Sequence, residues 1–487
     1  MEKLEKPLKE PGKLRQFLAA LVVNLLALSY GLVMGWQSPS TPQLQSSSPP
    51  VGKEPMTDDA VSWLTGILCL SGTITTTLLA IIPDKFSRKR FGYVIGLPMM
   101  LSWLLIVFST EHIYIYVARA LGGLAGACLF CLVSTYVSEI SCDSIRGMLA
   151  SILVFSVNFG ILLSYILGGI LSFHAFPISG VIISVLFFIT FTFMPESPVY
   201  LVRQNRMREA IRSLKWLKAG NSLVAERTLS HIQFQVKEVA STRSAKFSDL
   251  YRDKATIKGL IISFGLFAGQ QFCGIFAMLS NTETIFRMSG SSLSPNMSAI
   301  IVATIQLVTS MLAMFLVERA GRRPLLLLSC AGMFVCHCVM GVFCHLQSLQ
   351  YEVSAYAWIP VITLSAYMLV YGLGMGNIPI VMTTEIFSRD VTSLGTTVGL
   401  IISWGSATIM TKCFTDIVAL LDMHGCFYLL AIFCMCTFLF GFILLPETKG
   451  RAREDIVDEL NGVRCTKNKN NAKHIIGTDS AAHAAHV

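Results

Sequence analysis

An all-α membrane protein of twelve transmembrane helices, arranged as two six-helix halves, is predicted by three features of the sequence. The 487-residue chain is 53% hydrophobic and 14% charged, with a mean hydropathy of +0.62, too apolar for a water-soluble domain of ordinary composition. Apolar stretches of roughly 18 to 25 residues recur, each long enough to cross about 30 Å of hydrocarbon as a helix that satisfies its own backbone. Charged loop motifs then occur twice, in matched order.

The spans fall at 17–37, 61–82, 93–109, 113–138, 147–172, 176–194, 257–284, 298–317, 324–345, 357–384, 393–419 and 425–445. The first run continues into Trp36 and Pro39 without a small-residue cleavage site, so it reads as a retained helix and not a signal peptide. With the N-terminus inside, the cytoplasmic segments hold 33 of the 38 Lys and Arg, and the outer loops hold two, Lys53 and Arg287. Arg119, Lys258 and Lys412 fall within spans. The formal charge of +9 therefore reflects membrane orientation and not a nucleic-acid surface. Both termini are expected in the cytoplasm, in a multi-pass protein of the plasma membrane whose outer surface is covered by lipid. Nothing in the sequence speaks to oligomeric state.

The chain divides into an N-terminal segment 1–16, a first half 17–195, a linker 196–256, a second half 257–445 and a tail 446–487. The linker holds twelve Lys and Arg and no span. Within it Met207, Ile211, Leu214 and Leu217 recur at helical spacing among Arg208, Arg212, Lys215 and Lys218, which predicts an amphipathic helix at the cytoplasmic face, against protein or headgroups. Beyond about residue 461 an Asn/Lys run and the ending AAHAAHV lack apolar periodicity, and disorder is expected. Most of the fourteen Cys, including Cys69, Cys128, Cys131, Cys273 and Cys434, lie in spans as small packing residues, so no disulfide framework is expected. Cys336-His337-Cys338 lacks further ligands at metal-binding spacing, and no metal or cofactor is expected. Asn296-Met297-Ser298 is the one outer sequon, a weak glycosylation site because the bilayer is close.

The halves repeat each other in their loops. DKFSRKR (84–90) after the second span is matched by ERAGRR (318–323) after the eighth; YVSEISCDSIRG, with Glu139 and Arg146, by TTEIFSRD, with Glu385 and Arg389; and PESP (195–198) by PETKGR (446–451). Three matched pairs indicate a duplicated six-helix unit. A parallel repeat of this kind places a solute site between the halves near the midplane, with access alternating as one half rocks against the other. No nucleophile–base set, phosphate loop or metal set points to an enzyme.

Together these motifs resemble the sugar-porter family of the major facilitator superfamily, and within it the insect facilitated trehalose transporters, over nearly all of residues 17–456. The seventh-span pair Gln270-Gln271 belongs to the same pattern, and the GW-x-SP ending of the first span and Asn158 near Gly160 carry the insect affiliation. The resemblance implies the major facilitator fold and an inner salt-bridge gate of Asp84, Arg88, Lys89, Glu139, Arg146 and Glu196 in the first half and Glu318, Arg322, Arg323, Glu385, Arg389 and Glu447 in the second. Physically, carboxylates and guanidinium groups at cytoplasmic helix ends can pair across the halves when the inner side is closed and must part when it opens; solvated charges placed by membrane orientation are the plainer alternative. Two positions depart from the pattern: Ser87 stands for a Gly, and Thr392 for the Arg seven residues after Glu385, where Arg389 is the substitute. A weaker gate in the second half is the consequence.

A sugar needs amide and hydroxyl partners, because each buried hydroxyl left unpaired costs about 1–3 kcal/mol. The resemblance assigns solute contact to Gln270, Gln271, Gln306 and Trp404, with Ser403, Asn281 and Asn377 as further candidates; a Gln within a span can also serve helix–helix hydrogen bonding. Several polar groups of the family are missing: Val154 stands for a Gln, Phe276 for an Asn, Ile380 for a Trp, Asn377 for a Pro and Ser403 for an Asn. A pocket less polar than a glucose site follows, suited to a different saccharide such as trehalose or a hexose other than glucose, to a polyol, or to a less polar solute. Proton-coupled relatives carry a carboxylate in the first span, where this chain has Leu32, and no Asp or Glu lies mid-span; Glu283 and Asp416 sit near outer ends. Facilitated diffusion is the expected mechanism, and a non-transporting solute receptor or sensor is the alternative.

Overall fold

The computed structural model describes residues 11–81, 86–241, 247–388 and 390–461, apart from the side chains of 81, 239–241, 314, 315, 317 and 318. Within them the chain is helical, without strands. The first half comprises α1 (Lys13–Val23), α2 (Leu25–Leu44), α3 (Asp58–Ile81), α4 (Arg88–Val107), α5 (His112–Ile140), α6 (Asp143–Ile170) and α7 (Phe176–Thr192). The linker forms α8 (Pro198–Arg203), α9 (Met207–Leu217) and α10 (Ser222–Ser241). The second half comprises α11 (Lys254–Phe272), α12 (Ile275–Met288), α13 (Pro295–Ala320), α14 (Arg322–Ser348), α15 (Ile359–Leu373), α16 (Ile378–Ile386) and α17 (Thr392–Leu444), and α18 (Arg453–Asn461) follows.

Ten helical segments among the described residues are long and apolar enough to cross a membrane. The twelve expected spans fall on them once the 53-residue α17 is divided at Asp422, whose φ of 56° breaks the helix, and the shorter apolar α7 is included. Three expected spans are broken helices. The first bends at Asn24 between α1 and α2, whose side-chain amide donates to the Ala20 carbonyl at 2.7 Å. The seventh breaks at Gly274, whose φ of 90° suits glycine, and the tenth breaks between α15 and α16 at 374–377. The first span also runs to Leu44, past the expected end at 37, with Pro39 and Pro42 inside the helix.

Local chemistry sets the helix starts. Ser87, Ser197, Asp253 and Ser294 each accept a backbone N–H three residues on, as N-caps do. Pro follows the cap at Pro198 and Pro295, where its missing N–H costs nothing. Where α2 crosses α6, Gly31 and Gly160 stand back to back, and a Cβ on either would strike the other helix's backbone. Small residues allow this approach where lipid supplies no hydrophobic drive between helices.

Within the first half α2 packs on α6, α3 and α4 on α5, and α4 on α7; within the second, α11 and α14 pack on α17, and α13 and α14 on α15. Among the described residues the main contacts that join the halves are those of α2 with α12, α3 with α17, and α6 with α13. The predicted amphipathic helix is α9, which buries Ala210 and Leu214 in a small core with Leu201, Val202, Ala225 and Ile232, and Leu217 in the main core of the bundle. It is docked on protein: Arg15 and Gln16 of α1 donate to the carbonyls of Trp216 and Leu217, at 3.1 and 3.3 Å. The linker, α1 and α18 share one face of the bundle, called here the terminal face. His337, flanked by two Cys in the sequence, is buried and bonded to the Cys273 carbonyl at 3.1 Å, with its ring against Tyr367 and Phe427. That is a packing role. The tail beyond 461 lies outside the described residues.

Candidate functional site

Gln270 and Gln271 are adjacent on a helix, so their side chains leave it about 100° apart, and the structure gives them different work. Gln270 donates to the carbonyls of Met375 (2.8 Å) and Gly376 (3.2 Å), bracing the break between α15 and α16. Gln271 donates to the Ser403 hydroxyl at 2.8 Å, and its Oε1 is buried without a donor. Gln306, on α13, donates at 3.2 Å to Asn158 on α6, across the halves. Its Oε1 is likewise buried without a donor. A buried acceptor in this condition costs about 1–3 kcal/mol, so a solute hydroxyl arriving at either oxygen has something to gain.

The remaining candidates separate. Trp404, beside Ser403, lies 6.0 Å from the Phe276 ring between centroids and covers Gly72 of α3. The Asn281 amide donates to the Ala277 carbonyl of its own helix at 3.0 Å, and the Asn377 amide to Gly372 at 3.2 Å, within the break. Both amides are committed to local backbone. The polar convergence is thus Gln271 with Ser403, and Gln306 with Asn158.

The gap between the halves opens toward the terminal face. Val154 lies one turn from Asn158 on the same side of α6, yet Val154 is 38% exposed and Asn158 9%. Gly147, two turns farther along that side, has open space where a side chain would stand. So α6 meets α13 at Asn158 and the two part below it. Ile380, on α16, is exposed as well.

On the opposite face the halves are tied together. Tyr165 of α6 donates its hydroxyl to the Leu279 carbonyl at 2.7 Å, and the Tyr165 carbonyl accepts the Asn296 amide at 3.0 Å. The Ser38 hydroxyl accepts the backbone N–H of Glu283 at 3.1 Å. Lys412 of α17 pairs with Asp59 of α3, donates to Ser62 at 2.9 Å, and lies 5.2 Å over the Trp63 ring. Asn296, the candidate glycosylation site, is packed in this layer against Gly169, and a glycan on it would break the contact. Sequence reasoning missed this layer: each residue, met alone near a helix end, reads as an ordinary interfacial polar group.

The charges at the terminal face form the same device twice. Arg88 binds Glu139 at 3.1 and 3.3 Å; Arg322 binds Glu385 at 3.0 Å. Glu196 accepts the backbone N–H groups of Lys89 and Ser197 and the Ser87 hydroxyl; Glu447 accepts those of Arg322, Arg323, Thr448 and Lys449. The Lys89 ammonium caps the end of α7 at the Thr192 and Met194 carbonyls, 2.6 and 2.9 Å away, and the Arg323 guanidinium caps α17 at Phe442, 2.6 Å away. These contacts run within a half, and in this state the terminal-face ends of the halves stand apart; pairing across the halves is the expectation for the state closed on that side. Arg146 pairs with Asp143 on its own helix at 2.7 Å. Ser87, in place of Gly, adds both the N-cap and the Glu196 contact. Thr392 bonds back to Ser388 at 2.7 Å. Asp84 and Arg389 lie outside the described residues, as does the side chain of Glu318.

Leu32 is fully buried. Beside it Arg119, 1% exposed, donates to the carbonyls of Val33 and Leu64 and to the Gln37 amide oxygen. A guanidinium held by neutral oxygens ties α2, α3 and α5 together; the sequence placed Arg119 in a span without revealing these partners.

The family model for sugar (and other) transporters matches residues 19–460. The chain is similar to the facilitated trehalose transporter of Bombyx mori, 28% identical over 454 residues that cover 93% of this chain and 88% of that one. It is similar also to the facilitated trehalose transporter of Anopheles gambiae, 29% identical over 92% of this chain, although it spans little more than half, 56%, of that relative's length. Among solved structures, the inward-open conformation of the xylose transporter XylE from E. coli superposes with a TM-score of 0.74 at 18% identity, covering 90% of this chain and 98% of that one. At that identity the likeness is one of fold.

Proposed function

The chain belongs to the sugar (and other) transporter family, and from that premise we propose that it carries trehalose, a hexose or a polyol across a membrane by alternating access and facilitated diffusion. The observation that carries this reading is the asymmetry of the contacts between halves: bonded across on the opposite face, parted at the terminal face, with two donor-seeking amide oxygens buried at mid-height. Such an arrangement suits a body that rocks about a central site. Gln271, Gln306, Ser403 and Trp404 are the solute contacts in this reading, and Gln270 positions them by bracing the tenth span. The paired charges of the terminal face stiffen each half as it moves. Trehalose enters through the relatives' names, and the depleted pocket suits a solute other than glucose.

The terminal face is cytoplasmic in this reading, since it carries α1, α18 and the linker, and the segments assigned to the cytoplasm hold 33 of the 38 Lys and Arg in the sequence, and the membrane is the plasma membrane. Passive transport is supported by Leu32 and by the neutral partners of Arg119, which leave that site without a carboxylate to carry a proton. The test is uptake of labelled trehalose, D-glucose and sorbitol into liposomes containing the purified chain. Saturable equilibration of at least one is expected, at an initial rate unchanged by a protonophore. Absence of uptake of all three above protein-free liposomes would remove the reading.

A further inference from the structure

Asn158 joins the halves at the height where the gap between α6 and α13 closes. Two carboxamides that face each other can exchange two N–H···O bonds; here one forms, from Gln306 Nε2 to Asn158 Oδ1 at 3.2 Å, and Gln306 Oε1 is left buried without a donor. The pair is therefore incomplete in a specific way, with a spare acceptor. Val154 supplies no amide to the first half's wall, and Asn158, on the same side of α6, supplies one about 6 Å farther from the terminal face.

We propose that Asn158 is the first half's solute contact and forms with Gln306 a split amide clamp for two neighbouring hydroxyls of a neutral polyol or saccharide. The inference rests on the carrier reading above and deepens it by naming the group that is recognised. A hydroxyl both donates and accepts, so a vicinal diol can replace the single bond between the amides: one hydroxyl donates to Gln306 Oε1, and its neighbour accepts an amide N–H and donates to Asn158 Oδ1. An apolar solute would break the amide bond and return nothing. Because one amide belongs to each half, the same diol bridges the two moving bodies, and its binding favours the state in which they meet.

The test uses the purified full chain and equilibrium binding of trehalose, D-glucose, sorbitol and the deoxy analogues of whichever of them binds. Asn158→Leu and the smaller Asn158→Ala are compared with the unaltered chain, each checked for an unchanged melting temperature. Both variants are expected to weaken binding about tenfold or more, the loss of one hydrogen bond to a solute hydroxyl. They are also expected to lose discrimination against the analogue that lacks the contacted hydroxyl, a readout that a purely structural role leaves alone. Adding Val154→Gln to Asn158→Leu should recover part of the affinity by restoring an amide to that side of α6. Unchanged affinity and discrimination in either well-folded variant would overturn the assignment while leaving the carrier reading in place. Failure of the unaltered chain to bind any of the three would instead remove the saccharide reading, and Asn158's part with it.

Discussion

Two glutamines of the pocket share one condition, an amide N–H already bonded and a carbonyl that is buried and waiting. Replacing either with Leu removes an acceptor that a solute hydroxyl would fill. Gln271→Leu and Gln306→Leu are each expected to weaken solute binding by about 1–3 kcal/mol, or roughly 5- to 150-fold, measured by titration of the purified protein. Gln270→Leu should act differently, because its partners are backbone carbonyls at 375 and 376: the expected loss is in melting temperature. The sequence presented the two residues as one motif. Their different duties follow from the helical rotation between neighbours and from which helix each meets, and the second of these is not local information. Arg119 makes the complementary point. Arg119→Leu would take a donor from the Val33 and Leu64 carbonyls and from the Gln37 amide oxygen, which keeps the Thr65 hydroxyl, a destabilisation on the order of 1–3 kcal/mol, and Arg119→Lys should rescue little, since an ammonium cannot reproduce the fixed fork of donors. Thermal unfolding in detergent checks both.

Helix packing rests on close approaches that leave no room for side chains. At the crossing of α2 and α6, Gly160→Leu would drive a side chain into the Leu28 carbonyl and Gly31, and neither backbone can yield as a flexible side chain can. The expected result is loss of the monodisperse folded protein on size exclusion, whereas Gly147→Leu, in open space on the same helix, should be tolerated. Gly160 and Gly147 look alike in the sequence. The helices themselves were legible, because a membrane-spanning segment must satisfy its backbone internally and hydropathy marks it. Their breaks were less so: Gly274 and the 374–377 segment sit inside runs whose mean hydropathy still reads as a single span, and α2 passes the expected end of the first span because helix continuity outlasts the apolar run.

At the scale of the molecule, the state seen here is held by cross-half bonds on the face away from the termini. Lys412 is central to them, with Asp59, Ser62 and Trp63 as partners. Lys412→Ala should loosen that layer and shift the population toward the state open on that face. A cysteine placed at Val154, which is exposed here, would then react more slowly with a reagent supplied from the terminal side, by several-fold; an unchanged labelling rate would show that this pair does not bias the equilibrium. Lys412 and Asp59 lie hundreds of residues apart, and neither carries a motif.

Hydropathy, charge asymmetry and the duplicated loops were sufficient to indicate an all-helical, multi-pass membrane protein, because hydropathy and charge follow from the chain's local contact with lipid and water. The charge count located the terminal-face charges, and the resemblance carried by the loop motifs located the glutamines. Only the tertiary structure decided which glutamine braces a helix and which keeps an oxygen free, that Arg88 meets Glu139 and Arg322 meets Glu385 within their halves, and that Asn158 faces Gln306 between them. Those facts depend on which helices meet and at what height. Burial and hydrogen-bond satisfaction across distant segments settle that, and a single segment's composition does not contain it.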